Sequence, residues 1–397
     1  MKVVDDLVDQ VGADVIGWRR HLHQNPELSF QEEQTARFVA ETLESFPGIE
    51  VSRPTRTSVL GRLRGARAGR VLAIRADMDA LPLQEENDFE FASQRPGVMH
   101  ACGHDAHTAM LLATAKVLSG LREDLPGEVR FLFQHAEELF PGGADEMIAA
   151  GVMDAVDAVI GAHVWSPLET GKVGIVYGPA MAGPDTFWIT IHGRGGHAAL
   201  PHQTVDPIVV GAELVSSLQH IVSRSTDPLS TAVVSVTQFV AGTTHNVIPG
   251  SVEMQGTVRT FEPALRSAMP ELMERHVKGV AEAHGASYDF KYEQGYRVVV
   301  NEQRITGVVE ATVRDVLGPS AVEMMKPNMG GEDFSAFQER APGCFFFIGV
   351  GNAGKGIVHP HHHPRFTVDE DALAPGVAVF VQAARRLLDP QQEEAGS

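Results

Sequence analysis

The stretch VRFLFQHAEE, residues 129–138, joins an apolar run to a histidine and two adjacent glutamates. The apolar part has the length and the Val- and Phe-rich composition of a buried β-strand. Four runs of this kind occur, at residues 71–76, 129–134, 158–162 and 344–350. Segments with helical spacing of apolar residues lie between them, for example residues 106–119. Continuous apolar strands that alternate with helices predict a mixed, mostly parallel sheet flanked by helices, which is an α/β fold.

A different pattern occupies the middle of the chain. Strand and helix signals follow one another there in the order βαββαβ, with strands near 187–191, 232–240, 251–260 and 288–292 and helices over 206–223 and 263–283. This order is typical of a ferredoxin-like domain. A chain of 397 residues also exceeds the size of a single core. We therefore expect two domains, a catalytic one over 1–184 and 294–397 and an inserted one over 185–293.

The composition limits the possible partners. The chain has 32 Lys and Arg against 51 Asp and Glu, a net charge of −19. Such a surface repels phosphate backbones and anionic lipid, so we expect no nucleic-acid or membrane partner. No apolar run approaches the roughly 18–20 residues that span a bilayer. With only two cysteines, Cys102 and Cys344, a disulfide framework is excluded and a reducing, cytoplasmic setting is expected.

Three of the four apolar runs lead directly into polar residues. These are Asp77 and Asp79, Glu137 and Glu138, and His163. Ligands of open parallel sheets bind beyond the carboxyl ends of the strands, so this arrangement favours a catalytic centre there. The alternative is that these polar residues lie in solvated loops without a function. This alternative explains one such strand more easily than three together.

The stretch HACGHDAH, residues 100–107, packs a thiol, three imidazoles and a carboxylate in front of a helix. These groups bind divalent transition metals. A helix start would lower the pKa of the Cys102 thiol, which also makes a nucleophile possible, but the crowding histidines and carboxylates favour a metal ligand. A second histidine cluster at 359–363 completes a ligand set. A run of histidines in a loop, or an affinity tag, is the alternative, and the flanking prolines argue against a tag.

The adjacent Glu137 and Glu138 fit such a centre. In an extended segment their side chains point opposite ways, so one can bind metal while the other takes a proton from water. Two ions about 3.5–4 Å apart would lower the pKa of that water. An exposed acidic pair is the alternative.

Two motifs would indicate other classes of enzyme. GVGNAG, residues 349–354, matches the GxGxxG pattern of dinucleotide-binding oxidoreductases, but the next residues lack helical periodicity and soon meet prolines. The GxSxG pattern of serine hydrolases is absent from the sequence.

Ten stretches in order carry a resemblance that spans nearly the whole chain. They are RRHLHQNPELSFQEEQTA (19–36), IRADMDALP (74–82), MHACGHDAHTAMLL (99–112), FQHAEELFPGGA (133–144), GAHVW (161–165), GRGGHAALPH (193–202), HNVIP (245–249), GTVRTF (256–261), GGEDFSAF (330–337) and HHHPRFTVDED (361–371). Together they resemble M20-family metallopeptidases of the branch that holds aminoacylases, hippurate hydrolases and auxin-conjugate amidohydrolases.

The resemblance implies a metal-dependent amidohydrolase that cleaves N-acyl amino acids into a carboxylic acid and a free amino acid. It implies two divalent ions per subunit and Glu137 as the general base. The implied metal ligands are Cys102 as the bridge, His104, Glu138, His163 and His362. His362 is chosen among its neighbours because the family's ligand precedes a residue-Pro-residue-Phe stretch, here residues 363–366.

The resemblance also assigns roles to the inserted domain. His197, Asn246 and Arg259 are similar to residues that close over the substrate, where they bind its carboxylate or stabilise the oxyanion; His197 is thus also expected to take part in catalysis. The insert dimerises in many relatives, so we expect a homodimer or a higher homo-oligomer in which His197 serves a neighbouring subunit.

Two departures from the wider family bear on the metals. Most members carry an HxD motif where this chain has Asp77-Met78-Asp79, and a bridging Asp in place of Cys102. Asp77 is therefore not carried over as a ligand, whereas Asp79 matches the motif's supporting Asp. A thiolate is softer than a carboxylate, which favours zinc, manganese, cobalt or nickel over magnesium and calcium. A dipeptidase or carboxypeptidase of the same family, and a non-catalytic metal-dependent binder, remain as alternatives.

Overall fold

The structure is a computed structural model that describes residues 2–389, with side chains from residue 6 onward. Residues 1 and 390–397, which the expected catalytic domain includes, lie outside the described part. The helices are α1 (Lys2–Gln24), α2 (Glu33–Glu44), α3 (His104–Gly120), α4 (Ala144–Ala149), α5 (Pro207–His220), α6 (Pro263–Ala283), α7 (Gln303–Leu317), α8 (Phe334–Gln338) and α9 (Leu373–Leu388).

The strands follow in chain order. They are β1 (Ile49–Ser52), β2 (Val59–Arg64), β3 (Arg67–Asp77), β4 (Pro126–Gln134), β5 (Ala158–Glu169), β6 (Val173–Ile175), β7 (Gly178–Met181), β8 (Gly183–His192), β9 (Gly196–His197), β10 (Ala232–Ala241), β11 (Val247–Ile248), β12 (Ser251–Thr260), β13 (Ser287–Gln294), β14 (Val299–Asn301), β15 (Val322–Met324) and β16 (Gly343–Gly351).

The chain divides into two compact units. Among the described residues, the first unit holds 2–180, 299–327 and 333–389, and the second holds Met181–Val298 and Asn328–Glu332. The domain bounds expected from the sequence, 1–184 with 294–397 and 185–293, stay a prediction.

An eight-stranded sheet forms the centre of the first unit. Its order is β1-β2-β4-β3-β5-β16-β6-β15. The four strands β4, β3, β5 and β16, which contain the four apolar runs, are parallel to one another. Every residue of β16 is buried. The expected α/β class with a mixed, mostly parallel sheet is confirmed.

Helices α1, α3, α7 and α9 pack together beside this sheet. Helix α1 buries Val8, Val11 and Val15 and ends at Gln24. The residue after it, Asn25, precedes a proline and disfavours helical backbone, so the helix stops where the sequence predicts.

The second unit has its own core. Its four-stranded sheet has the order β10-β12-β8-β13 with antiparallel neighbours, and α5 and α6 complete the βαββαβ sequence of elements. Alternate residues of β8 are buried: Phe187, Ile189 and Ile191 pack against helical residues such as Leu214 and Met273.

Some elements were not anticipated. Strands β1 and β2 add an antiparallel edge to the sheet, and helices α2 and α7 lie outside the segments singled out from the sequence. Helix α7 buries Ile305, Val309 and Val313. These residues are four positions apart, a spacing of apolar residues that predicts a helix. No helix among residues 2–389 is long and apolar enough to cross a bilayer.

A fully buried arginine links the ends of the central strands. Arg75 on β3 is 2% exposed. Its Nε donates to Gln134 Oε1 at 2.8 Å, and its two terminal nitrogens bond Asp77 at 2.6 Å and Asp333 at 2.9 Å. Removing this cation leaves two buried carboxylates without their charge partner.

We therefore expect Arg75→Met to lower the free energy of unfolding by about 3–5 kcal/mol, the cost of breaking a buried ion pair on one side. Arg56→Met is the matched control, because Arg56 pairs with Glu33 at the surface and should leave stability nearly unchanged. Urea unfolding of the metal-depleted proteins measures both. Equal midpoints for the two variants would contradict the assigned role of Arg75.

Candidate metal centre

The candidate ligands come from a strand, from loops and from the start of a helix. Cys102 lies just before α3, His104 is its first residue, and His163 lies on β5. Gly103 lies between Cys102 and His104 and has φ 92°. A Cβ at this position would lie 2.3 Å from the Val164 side chain. Only glycine fits both the backbone angle and the space, so the turn that places the two ligands depends on it.

Five predicted ligands and the predicted base fall into three overlapping groups. In each group one donor atom per residue lies within 4.8 Å of the others. The groups are Cys102, His104 and His163; Cys102, Glu138 and His362; and His104, Glu137 and Glu138. The first two groups share only Cys102, which is the arrangement expected of a sulfur between two ions.

Unsatisfied buried atoms show that these residues fit a metal. Both ring nitrogens of His104 and Oε1 of Glu138 are buried without a hydrogen bond of good geometry among the described residues. His163 donates from Nδ1 to the Val164 carbonyl at 2.6 Å, which leaves Nε2 3.4 Å from the Cys102 sulfur. A backbone carbonyl commonly fixes a ligating imidazole in this way. Sulfur, nitrogen and oxygen donors together suit a transition-metal ion.

The charges around Cys102 also favour binding of a cation. Burial, Glu138 and Glu137 raise the pKa of the Cys102 thiol well above its usual value. The expectation that the helix start lowers this pKa is wrong, because desolvation and two carboxylates outweigh the helix terminus. Burial also lowers the pKa of His163 well below its usual value, which keeps its imidazole neutral. A thiolate at Cys102 therefore requires a neighbouring cation.

Asp79 holds the two glutamates in place. Its Oδ1 accepts the Glu137 N–H and its Oδ2 accepts the Glu138 N–H, both at 3.0 Å. Ser29 donates its hydroxyl to Oδ2 at 2.7 Å, a contact that sequence reasoning missed although Ser29 lies in a stretch that carries the resemblance. Nδ1 of His104 lies 3.3 Å from Oδ1.

The two glutamates do not point to opposite faces as an extended strand would place them. Residues 137 and 138 form a bend, because Ala136 at φ 51° ends the extended backbone. As a result one oxygen of each carboxylate lies within 4.8 Å of the other and of His104.

Both carboxylate oxygens of Asp77 already have partners. Its Oδ2 accepts from Arg75 at 2.6 Å, and its Oδ1 lies 2.6 Å from Nδ1 of His107. Nε2 of His107 in turn accepts the Val164 N–H at 2.8 Å. Asp77, His104 and His107 come close enough to hold an ion, but the Asp77–His107 pair is already fully bonded.

The histidine run at 359–363 separates into different roles. Nε2 of His362 lies 3.2 Å from Glu138 Oε1. His361 stacks on Trp165 at 5.0 Å and accepts the Ser166 N–H with Nε2. His359 and His363 stack on each other at 4.3 Å. In this run His362 is the member grouped with Cys102 and Glu138.

The candidate substrate residues lie in the second unit. His197 on β9 pairs with Val247 on β11, and the next N–H, of Ala198, donates to the Asn246 carbonyl at 3.1 Å. This ladder brings His197 and Asn246 together. Arg259 lies on β12, and burial lowers the pKa of its guanidinium.

The dinucleotide motif does not open a helix. Strand β16 continues to Gly351, and the next element is the single 3₁₀ turn Ala353–Lys355. A pyrophosphate site needs a helix N-terminus at this place, so the structure gives the nucleotide alternative no support.

The model of Peptidase family M20/M25/M40 matches residues 73–386. An N-acyl-L-amino acid amidohydrolase of Geobacillus stearothermophilus is 70% identical over 295 residues, 74% of this chain and 80% of that protein. Thermostable carboxypeptidase 2 of Saccharolobus solfataricus is 43% identical over 382 residues, 94% of this chain and 96% of that protein.

A solved structure shows the same fold. The crystal structure of the Bacillus subtilis YXEP protein, a dinuclear metal-binding peptidase of the M20 family, superposes with a TM-score of 0.83 at 38% identity. The match covers 96% of this chain and 99% of that one. The family match over most of the chain and these relatives confirm the resemblance seen in the sequence: the chain belongs to peptidase family M20/M25/M40.

Proposed function

We propose that this protein is a dinuclear metal amidohydrolase that releases a carboxylic acid and a free amino acid from N-acyl amino acids. One observation carries the proposal. The Glu137–Glu138 pair, bound through its amides to Asp79, lies against His104, which is grouped with Cys102 and His163. Because the chemistry depends on a reduced Cys102, we also propose a reducing, cytoplasmic setting.

The ligand assignment follows the two groups that share Cys102. In this proposal Cys102, His104 and His163 would hold one divalent ion, and Cys102, Glu138 and His362 would hold the other. Zinc, manganese, cobalt and nickel fit the sulfur ligand. When bound, the pair of ions lowers the pKa of water and polarises a carbonyl oxygen.

The remaining steps belong to side chains of this protein. Glu137 takes a proton from the attacking water and passes it to the nitrogen of the leaving amino acid, so one carboxylate serves as base and then as acid. His197 donates a hydrogen bond to the oxyanion. Arg259 and Asn246 bind the substrate carboxylate, and Arg259 is suited to this because a guanidinium pairs with a carboxylate at two points.

Two other functions compete with this one. A dipeptidase or carboxypeptidase activity is supported by the similarity to the Saccharolobus carboxypeptidase. A non-catalytic metal-dependent binder is less well supported, because binding alone gives no reason for a second carboxylate beside Glu138.

We further propose that residues 185–293 act as a lid and dimerisation domain. Strand β10 is an edge of its four-stranded sheet, and its Phe239 and Val240 are 41% and 55% exposed. Edge strands with exposed apolar residues are prone to pair with another chain. The proposed partner is a second copy of this chain.

The base assignment predicts different outcomes for the two neighbouring glutamates. Glu137→Gln should keep bound metal and lose turnover, because the amide cannot accept the proton. Glu138→Ala should lose metal. Metal content by elemental analysis and kcat on N-acetyl amino acids measure both effects, with the exposed Glu123→Gln as control. Near wild-type hydrolysis by Glu137→Gln would show that another group is the base.

The metal and substrate assignments predict the behaviour of metal-depleted protein. Activity should disappear on depletion and return when zinc, manganese, cobalt or nickel is added singly. Acetyl-, benzoyl- and indoleacetyl-amino acids, tested beside dipeptides, separate the amidohydrolase from the peptidase. A dipeptide preference under every metal favours the alternative.

The two cysteines provide a matched control for the same experiment. Cys102→Ala should lose metal and turnover, whereas Cys344→Ala, equally buried on β16, should keep both. If Cys102→Ala keeps its metal content and its kcat, the sulfur is not a ligand.

The proposed role of His197 predicts a loss of turnover in one variant and a recovery of activity when two variants are mixed. His197→Ala should lower kcat about 10²–10³-fold, or ~2.7–4 kcal/mol in activation free energy, because one hydrogen-bond donor to the oxyanion is lost. The metal should stay bound.

If His197 serves the neighbouring subunit, mixing His197→Ala with Glu137→Gln should restore about one quarter of wild-type activity, because half the dimers are mixed and each mixed dimer has one intact site. Mixed subunits that exchange but stay inactive would exclude a role for His197 in the partner's site.

A further inference from the structure

Glu32 connects the N-terminal region to the turn that carries the glutamate pair. Its side chain is fully buried. A single oxygen, Oε1, accepts two backbone N–H groups: that of Phe30 at 3.0 Å and that of Ala136 at 2.8 Å. Ala136 directly precedes Glu137, so the contact reaches the backbone that directs the proposed base.

Both donors have an unusual backbone. Phe30 has φ 65° and Ala136 has φ 51°, in the left-handed region that non-glycine residues seldom adopt. Such a conformation is strained and persists only where the surroundings impose it. Their shared acceptor, Glu32, is the group in contact with both strained amides.

The contact extends a series of carboxylate bonds along the turn. Glu32 binds the amide of residue 136, and Asp79 binds the amides of residues 137 and 138. Three consecutive N–H groups are thus held by two buried carboxylates. The Phe30 ring also meets the His135 ring at 5.6 Å, edge to face. Burial and the charge of Asp79 raise the pKa of Glu32 to about 7, and an oxygen can accept both bonds in either protonation state.

We propose that Glu32 is a positioning residue for catalysis: it holds Ala136 in the left-handed conformation and thereby directs the Glu137 carboxylate. This inference rests on the proposed function, in which Glu137 is the base. Glu32 touches neither the candidate ligand atoms nor, in this proposal, the substrate. A group that sets only the direction of a base affects turnover more than substrate binding.

The first test is Glu32→Ala. We expect kcat to fall about ten- to a hundredfold, the scale of a misplaced catalytic group, with KM nearly unchanged and metal content retained. In metal-depleted protein, hydrogen exchange of the amides at 136–138, followed by mass spectrometry, should become faster. Glu33→Ala is the matched control: Glu33 is the next residue, lies at the surface and pairs with Arg56, so neither quantity should change.

Two rescue variants separate positioning from general stability. Glu32→Gln keeps an oxygen that accepts both N–H groups, so it should retain most of kcat and of the exchange protection. Adding Ala136→Gly to Glu32→Ala should restore part of kcat, because glycine adopts a positive φ without the steric cost. A purely structural role of Glu32 predicts instead a lower unfolding midpoint with kcat of the folded Glu32→Ala protein unchanged, so there would be no loss of kcat for either variant to repair.

Three results would overturn the proposal. They are an unchanged kcat in Glu32→Ala, a loss of kcat that follows loss of metal, and a loss that neither Glu32→Gln nor Ala136→Gly relieves. An active Glu137→Gln would instead refute the base assignment alone. In that case the exchange rates of residues 136–138 still report whether Glu32 holds the turn.

Discussion

The site depends on a concentration of donor atoms in a place where water is largely excluded. Cys102, His104, Glu137 and His163 are all buried, and the pKa of the thiol is raised by the carboxylates beside it. Burying unpaired charges and polar atoms costs several kcal/mol each. Cations bound between the donors would offset this cost, and in the proposed function the same cations would activate the attacking water. Stability of the centre and catalytic function therefore have one physical origin.

The surrounding protein supports this centre through buried ion pairs and backbone amides. Arg75 balances Asp77 and Asp333 beneath the strand ends. Asp105, the residue after His104, accepts from Arg19 and lies against His23, both at 2.8 Å. These bonds tie the first turn of α3 to α1. The candidate ligands are thus surrounded by contacts between elements far apart in sequence.

Local sequence patterns predicted the strands of the central sheet. Features that depend on contacts between residues far apart in sequence could not be predicted. The four apolar runs predict parallel strands because continuous hydrophobicity is a local property, and the polar residues that follow them indicate the candidate site. The bend at Glu137 and Glu138 could not be predicted, since it depends on acceptors 58 and 104 residues away, Asp79 and Glu32. The raised pKa of Cys102 was missed for the same reason: burial and neighbouring charges come from the tertiary structure. The roles of the ligand and substrate residues stay predictions.

The departure of this chain from the family's HxD pattern has a consistent physical explanation. Asp77 stands where most members have the histidine of this motif, and it bonds Arg75 and His107 instead. The chain therefore lacks the imidazole that this histidine would offer to a metal. His104, whose ring nitrogens have no hydrogen-bond partner among the described residues, lies in the group that contains Cys102 and His163 and can supply that imidazole. The exchange of a hard carboxylate bridge for a thiolate then goes together with a nitrogen-rich shell. An imidazole from His104 in place of the family's histidine leaves that type of donor unchanged. The thiolate is the softer of the two replacements and favours borderline ions over magnesium and calcium, so a change in metal preference would come from Cys102.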